Sequence, residues 1–188
     1  GAVGCADCHM PVVSGPNGPH RSHAFAASRD ESLVRRSVIV SASRDGGGKV
    51  RIRLEARGVG HAVPTGDLFR RIEVSADAIG DEMQSLGVRT LYLARHFTWG
   101  EGRDGERVKV LRADDRLVPG AAPTDIVLDL GDAGATHPIG WRVAYQRVDI
   151  PDDVDEEQAI LDGETVLASG TLAPASPPGP SRGGSGAP

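Results

Sequence analysis

The sequence predicts a mainly-β domain, an immunoglobulin-like β-sandwich of about seven to eight strands. Short segments rich in apolar and β-branched residues recur at near-regular spacing between residues 31 and 172, and turn residues separate them. No long amphipathic helical pattern interrupts these segments. Aromatic residues make up only 4% of the chain, which holds 25 Gly and 13 Pro, and this composition favours short strands and tight turns over long helices.

The clearest strand covers residues 49–56, where Val50, Ile52 and Leu54 alternate with charged residues. A run of three glycines precedes it and predicts a turn after a first strand at residues 37–42. Further strands are predicted at residues 71–78, 88–95, 108–112, 125–130, 141–149 and 165–172. A short helix is expected over residues 29–36, with Asp30 near its start.

The most informative motif is Cys-Ala-Asp-Cys-His at residues 5 to 9. Two cysteines separated by two residues and followed at once by histidine are the attachment signature of a c-type haem. Cys5 and Cys8 would add their thiols to the two porphyrin vinyl groups, and His9 would be the proximal iron ligand. The chain contains only these 2 cysteines, so the motif predicts one covalently attached haem c.

A zinc site is a competing interpretation, because Cys5, Cys8, His20 and His23 together approach a zinc-finger pattern. The two histidines are closer in sequence than the usual zinc-finger spacing, and the prolines and glycines of residues 10–19 disfavour the helix that such a finger needs. His9 would also have no role. Haem is therefore favoured over zinc, and a disulfide between the two cysteines is less favoured still.

The second axial ligand of the haem is predicted to be a histidine. His61 is the favoured distal ligand, because it lies in a loop, Gly-His-Ala-Val-Pro-Thr-Gly, that Pro64 stiffens between two strands. His23 is the alternative, since the chain can loop over the haem edge from His9. Phe25, close to His23, is expected to pack on the porphyrin.

Other candidate ligands are less favoured. Met10 is adjacent to His9 and cannot reach the opposite face of the haem, and Met83 lies in a predicted exposed turn. His96 and His137 are interpreted as loop histidines that are solvated or hydrogen-bonded.

The motifs resemble a known family. Cys-Ala-Asp-Cys-His-Met-Pro, then His-Ala-Phe, then Gly-His-Ala-Val-Pro-Thr-Gly are similar to the C-terminal region of bacterial multihaem c-type cytochromes, in which a haem site precedes a β-sandwich. The Asp-Arg-Leu-Val-Pro-Gly sequence at residues 115 to 120 also resembles a strand-edge pattern of that family. The resemblance covers roughly residues 4–150. It implies bis-histidine ligation and electron transfer.

The chain departs from that family in carrying one haem motif rather than several. Both His23 and His61 match the family's motifs, but one haem has only one vacant axial position. The histidine that does not bind this haem is expected to serve a haem on a neighbouring subunit or to be a relic.

Charge and hydropathy limit the partners. The net charge is −5 and no basic stripe occurs, so nucleic acid is not an expected partner. No run approaches the roughly 20 apolar residues of a membrane-spanning helix, so the chain is not expected to be transmembrane. The expected partners are other cytochromes or subunits of a redox complex, with an oligomer or a filament as a further possibility. Arg21 and Arg29 are candidates to pair with haem propionates, although solvated surface charge is the favoured interpretation.

Three segments are predicted: a short, irregular haem-binding segment at residues 1–30, the sandwich at 31–172, and a Pro/Gly/Ser-rich tail at 173–188. Because c-type haem is attached outside the cytoplasm, we expect an exported protein, periplasmic or at the cell surface, made with a signal peptide or a longer precursor that has been removed.

The sequence thus predicts a monohaem c-type cytochrome that carries out outer-sphere electron transfer and is not an enzyme. One alternative is a haem enzyme or gas sensor with an open sixth iron position. Another is a structural or assembly subunit of a redox complex or cytochrome filament, and a zinc-binding module is the minor alternative.

Overall fold

Two antiparallel β-sheets pack face to face in the computed structural model, which describes residues 4–25, 27–66, 69–152 and 156–174. Within these ranges the larger sheet has five strands in the order β10-β9-β5-β6-β7, and the smaller sheet has three in the order β3-β4-β8. The strands of the two sheets are β3 (Val38–Arg44), β4 (Lys49–Ala56), β5 (Arg70–Ile79), β6 (Ser85–Glu101), β7 (Arg107–Asp114), β8 (Thr124–Asp129), β9 (Ile139–Ile150) and β10 (Ile160–Leu172).

The strand order is that of an immunoglobulin-like sandwich. The chain forms β3 and β4 in the smaller sheet, crosses to make β5, β6 and β7 in the larger sheet, returns for β8, and ends in β9 and β10. This Greek-key path places β3, β4 and β8 in one sheet. The other sheet is extended beyond β5 by β6 and β7, as in variable-type immunoglobulin domains. The prediction of a mainly-β sandwich of seven to eight strands is confirmed in the described part of the chain.

Alternating side chains build the core between the sheets. Val50, Ile52 and Leu54 of β4 are fully buried, as are Ile72 and Val74 of β5. The intervening positions of β4 point outward, where Arg53 donates two hydrogen bonds of 2.8 Å to the carboxylate of Asp125 on β8. The period-two pattern of the sequence therefore fixes which face of each strand enters the core.

Three α-helices flank the strands within the described residues: α1 (Cys5–His9), α2 (Glu31–Arg36) and α3 (Gly131–Thr136); two short 3₁₀ helices span Asp81–Met83 and Glu156–Gln158. The predicted helix over residues 29–36 corresponds to α2, and Asp30 caps it, accepting a hydrogen bond of 3.0 Å from the Leu33 amide. Among the described helices none is both long enough and apolar enough to cross a membrane.

The segment before α2 contains more regular secondary structure than the irregular segment predicted from the sequence. Besides α1 it contains an antiparallel hairpin of β1 (Val12–Gly15) and β2 (Gly18–Arg21). Of the predicted Pro/Gly/Ser-rich tail, only Ala173 and Pro174 belong to the described residues, and positions 175–188 lie outside them.

Candidate functional site

The Cys-x-x-Cys-His motif folds as the short helix α1. Cys5 and Cys8 are three residues apart, so their thiols share one face of the helix, and His9 ends it. Cys5 is exposed and Cys8 is half-buried, and the two are free thiols rather than a disulfide. The predicted attachment residues are thus side by side and open to a reacting group.

His61 lies on the connection between β4 and β5, and the sandwich holds that connection firmly. Val63 and Pro64 are buried, and Val63 exchanges two backbone hydrogen bonds of 2.8 Å with Leu117, which lies between β7 and β8. On the other side of the histidine, Val59 packs against the core. The exposed imidazole therefore projects from a loop anchored on both sides.

The tautomer of His61 follows from its hydrogen bond. Its Nδ1 lies 3.2 Å from the carbonyl oxygen of Ala62. A carbonyl only accepts hydrogen bonds, so in the neutral form of the ring this contact places the proton on Nδ1 and leaves the lone pair on Nε2. A neutral imidazole whose other nitrogen donates to a backbone carbonyl is the usual arrangement of a metal-ligating histidine.

The imidazole rings of His9 and His61 are close neighbours. Their planes are within 10° of parallel and their centroids are 6.1 Å apart. Two imidazoles bound to opposite sides of one metal ion, each nitrogen about 2 Å from it, place their ring centres roughly 6 Å apart. The spacing is therefore compatible with His9 and His61 as two ligands of one iron, and the two thiols are the groups that would attach a haem c to the chain.

Phe25 stacks on the ring of His9, with a centroid distance of 5.0 Å and a plane angle of 15°. Its side chain is 57% exposed, and its backbone has φ of +46°, in the left-handed region that residues other than glycine rarely adopt. An exposed aromatic ring held in this strained conformation suggests that its position serves the site.

Arg21, at the end of β2, is bound to α1. Its guanidinium donates hydrogen bonds to the carbonyl oxygens of Ala6 at 2.8 Å and Met10 at 3.1 Å, and pairs with the Asp7 carboxylate at 2.6 Å. Hydrogen bonds from the Gly4 amide and from Arg21, together with the positive charge of Arg21, hold the pKa of Asp7 below its usual value. The role expected for Arg21 from the sequence is a solvated surface charge, and no motif predicts this contact.

The remaining sequence candidates lie elsewhere or have other partners. His23 is exposed in the bend after β2, whereas the His61 ring lies near-parallel to that of His9. His96 contacts the carboxylates of Asp115 and Glu156, each at 3.1 Å, and His137 contacts Thr136 and the Ala133 carbonyl. Both are hydrogen-bonded, as expected, but His96 lies within β6 rather than in a loop, because that strand continues to Glu101. Met83 is 79% exposed.

The geometry does not assemble the residues of the zinc alternative. Nδ1 of His20 lies 3.3 Å from the carbonyl oxygen of Gly18 in its own hairpin. Across the described ranges no three His, Cys, Asp or Glu side chains come together as a metal-ion site.

Comparison with known proteins gives one structural likeness of note. No protein-family model matches the chain, and no curated protein matches it. The structure superimposes on a penta-heme cytochrome c552 from Thermochromatium tepidum with a TM-score of 0.56 and 18% sequence identity, over 92% of this chain and 48% of that one. The fold is multihaem-cytochrome-like. At this identity the likeness concerns the fold, and the chain spans about half the length of that cytochrome.

Proposed function

We propose that this chain is an exported c-type cytochrome that attaches one haem through Cys5 and Cys8 and transfers electrons to other redox proteins. His9 is the proximal ligand and His61 the distal ligand. The observation that carries the proposal is the parallel arrangement of the two imidazoles with 6.1 Å between their centroids. The fold shared with part of a penta-heme cytochrome c552 supports it.

The residues of the chain determine what such a centre does. The bound haem would supply a one-electron couple between ferric and ferrous iron. His9 and His61 would hold the iron and leave no position for a substrate, so electron transfer would be outer-sphere. Because the His61 loop is bonded to the sandwich and α1 to Arg21, both ligands would be held firmly, and we expect a small reorganisation on electron transfer.

His61 rather than His23 is assigned as the distal ligand, because its loop is bonded to the sandwich through Val63 whereas His23 lies in an exposed bend. His23 is then available for a haem of a neighbouring subunit or domain. Phe25, next to His9, shields the site on one side.

The proposal is tested by producing the chain with a haem-ligation system in the bacterial periplasm and recording absorption and electron paramagnetic resonance spectra. We expect covalent haem and a low-spin ferric signal without a methionine–iron band. His61→Ala should become high-spin, and His23→Ala, the matched control, should stay low-spin. A chain that attaches no haem despite Cys5 and Cys8 defeats the proposal, and a low-spin His61→Ala with a high-spin His23→Ala reverses the ligand assignment.

A further inference from the structure

The helix that carries the haem motif has little to stabilise it on its own. α1 contains only 5 residues and buries none of them. Isolated helices shorter than about 12 residues are only marginally stable in water, because the free-energy cost of nucleating a helix exceeds the gain from one turn of hydrogen bonds. A short helix without buried residues therefore needs contacts from outside to keep one orientation.

Arg21 supplies three such contacts, two to residues of α1 and one to Met10, directly after the helix. One nitrogen, Nη1, bonds the carbonyl oxygens of Ala6 and Met10, and Nη2 bonds the carboxylate of Asp7. The same carboxylate accepts a hydrogen bond of 2.9 Å from the Gly4 amide through its other oxygen. The guanidinium and the carboxylate therefore connect the start of the helix with its end.

The hairpin fixes Arg21 itself. Arg21 is paired with Val12 in the β1–β2 ladder, and the Ser22 amide donates a hydrogen bond of 2.8 Å to the Pro11 carbonyl. The chain thus folds back directly after α1 and brings the arginine against the helix. The planar fork of an arginine can bond a carboxylate and two carbonyls at once, which the single ammonium of a lysine cannot reproduce in the same geometry.

We propose that Arg21 and Asp7 are positioning residues for the axial histidine: together they fix the orientation of α1 and so the plane of the His9 ring relative to His61. This inference rests on the proposed function. The two planes are 10° apart, and groups behind a metal ligand commonly fix its ring orientation. The g-anisotropy of a low-spin ferric haem depends on the angle between its two imidazole planes, so it reports this role directly.

The experiment compares Arg21→Lys and Asp7→Asn with Arg29→Lys in the haem-loaded chain. Arg29 is a matched control because its partner is Asp162 on β10, at 2.7 Å, and not α1. Arg21→Lys and Asp7→Asn are the clamp variants, because they change the Arg21–Asp7 pair that holds α1. We expect both to fold and remain low-spin, with an electron paramagnetic resonance signal that is broadened and shifted from the wild-type position. Arg29→Lys should give the wild-type signal. Wild-type signals in both clamp variants overturn the inference. So does a change in Arg21→Lys alone, because Arg21 then acts on a group other than Asp7, such as a propionate.

A second measurement on the haem-free chain does not depend on the haem. In nuclear magnetic resonance spectra the pinned guanidinium of Arg21 should give separate, slowly exchanging Nη signals, and Asp7→Asn should remove them. If the wild-type chain carries a bis-histidine haem and the clamp variants change nothing, only the positioning role fails. If the chain attaches no haem, the proposed function fails and the positioning role with it, even where the Nη signals show that the clamp on α1 exists.

Discussion

Val63 and Leu117 exchange two backbone hydrogen bonds of 2.8 Å and are both buried, although they belong to different connections of the sandwich. Val63 lies two residues after His61, so this bridge joins the candidate distal ligand to the segment between β7 and β8. Arg116, next to Leu117, donates a further hydrogen bond of 3.4 Å to the Pro64 carbonyl. The loop that carries His61 is thus anchored to the core through Val63 and Pro64, while His61 itself stays exposed.

Leu117→Ala tests this anchoring. Leu117 is 3% exposed, and truncating a buried leucine to alanine removes its contacts and leaves a cavity, so we expect a loss of about 2 to 5 kcal/mol in the free energy of unfolding. In the haem-loaded chain the high-spin fraction should rise as well, because His61 becomes less firmly held. Denaturant unfolding and absorption spectra measure the two effects.

The control for this substitution is Leu111→Ala on the edge strand β7, where the leucine is 50% exposed. Such a surface truncation should change the free energy of unfolding by no more than about 0.5 kcal/mol. Equal losses at the two positions would contradict the assignment of Leu117 to the anchor.

The ion pair beside this bridge should make stability depend on pH. Hydrogen bonds from Arg116 to Asp114, at 2.6 and 2.8 Å, hold the pKa of the Asp114 carboxyl below its usual value. A carboxyl with a lowered pKa in the folded state contributes stability above its unfolded pKa of about 3.9, and that contribution is lost as the pH falls through the folded pKa.

Melting temperatures of wild type and Asp114→Asn, measured between about pH 6 and about pH 2.5, check this dependence. The wild type should melt higher at the upper end, and the two should converge at the lower end. Arg116→Gln removes the cause of the lowered pKa, so the difference between its melting temperature and that of the wild type should also shrink as the pH falls over this range. A difference that stays constant with pH would contradict the prediction.

The alternation of apolar residues determined how far the fold could be predicted. Segments such as 49–56 have one strictly apolar face, and each predicted strand of the sandwich has a counterpart in the structure. The hairpin of β1 and β2 was missed because its strands are 4 residues each, mostly exposed, and contain Pro19. Short strands without a buried face leave no periodic signal in the sequence.

Some residues of the candidate site could likewise be predicted from the sequence and others could not. Cys5, Cys8 and His9 follow from a contiguous motif, and the choice of His61 followed from the stiffness of its loop. The contact between Arg21 and α1 could not be predicted, because it depends on the hairpin turning back on the helix. An arginine within a polar segment has no pattern of its own, and a solvated charge is the usual outcome.

A buried polar cluster on the outer face of the larger sheet gives a further prediction. Gln146 is 2% exposed; its side-chain oxygen accepts a hydrogen bond of 2.7 Å from Arg71, and its nitrogen donates one of 2.6 Å to Glu73. The same nitrogen donates a second hydrogen bond, of 2.9 Å, to Glu164. Gln146→Leu leaves all three charged partners with an unmet hydrogen bond, so the free energy of unfolding should fall by about 2 to 3 kcal/mol.

The same substitution at an exposed position, Gln84→Leu, is the control and should have an effect of no more than about 0.5 kcal/mol. Thermal and denaturant unfolding of the two variants give the comparison. A Gln146→Leu variant as stable as the wild type would mean that the cluster reorganises around an apolar side chain.

The turn between β3 and β4 offers a test of close backbone packing. Gly46 and Gly48 both have φ in the left-handed region, at +74° and +82°. A Cβ at Gly46 would meet no atom within 4 Å, whereas one at Gly48 would lie 1.9 Å from the carbonyl oxygen of Gly131, at the start of α3. The Gly48 carbonyl also accepts a hydrogen bond of 3.1 Å from the Leu130 amide, so the two backbones cannot separate freely.

Alanine at either position must adopt a conformation that costs roughly 1 to 2 kcal/mol for residues with a Cβ. Gly48→Ala must in addition push α3 away from the turn, and inserting atoms into a well-packed region costs about 1 to 3 kcal/mol more. We therefore expect both variants to be less stable than wild type, with Gly48→Ala clearly the less stable of the two. Urea unfolding monitored by circular dichroism measures this order, and equal stability of the two variants would mean that the contact between the turn and α3 is looser than the structure has it.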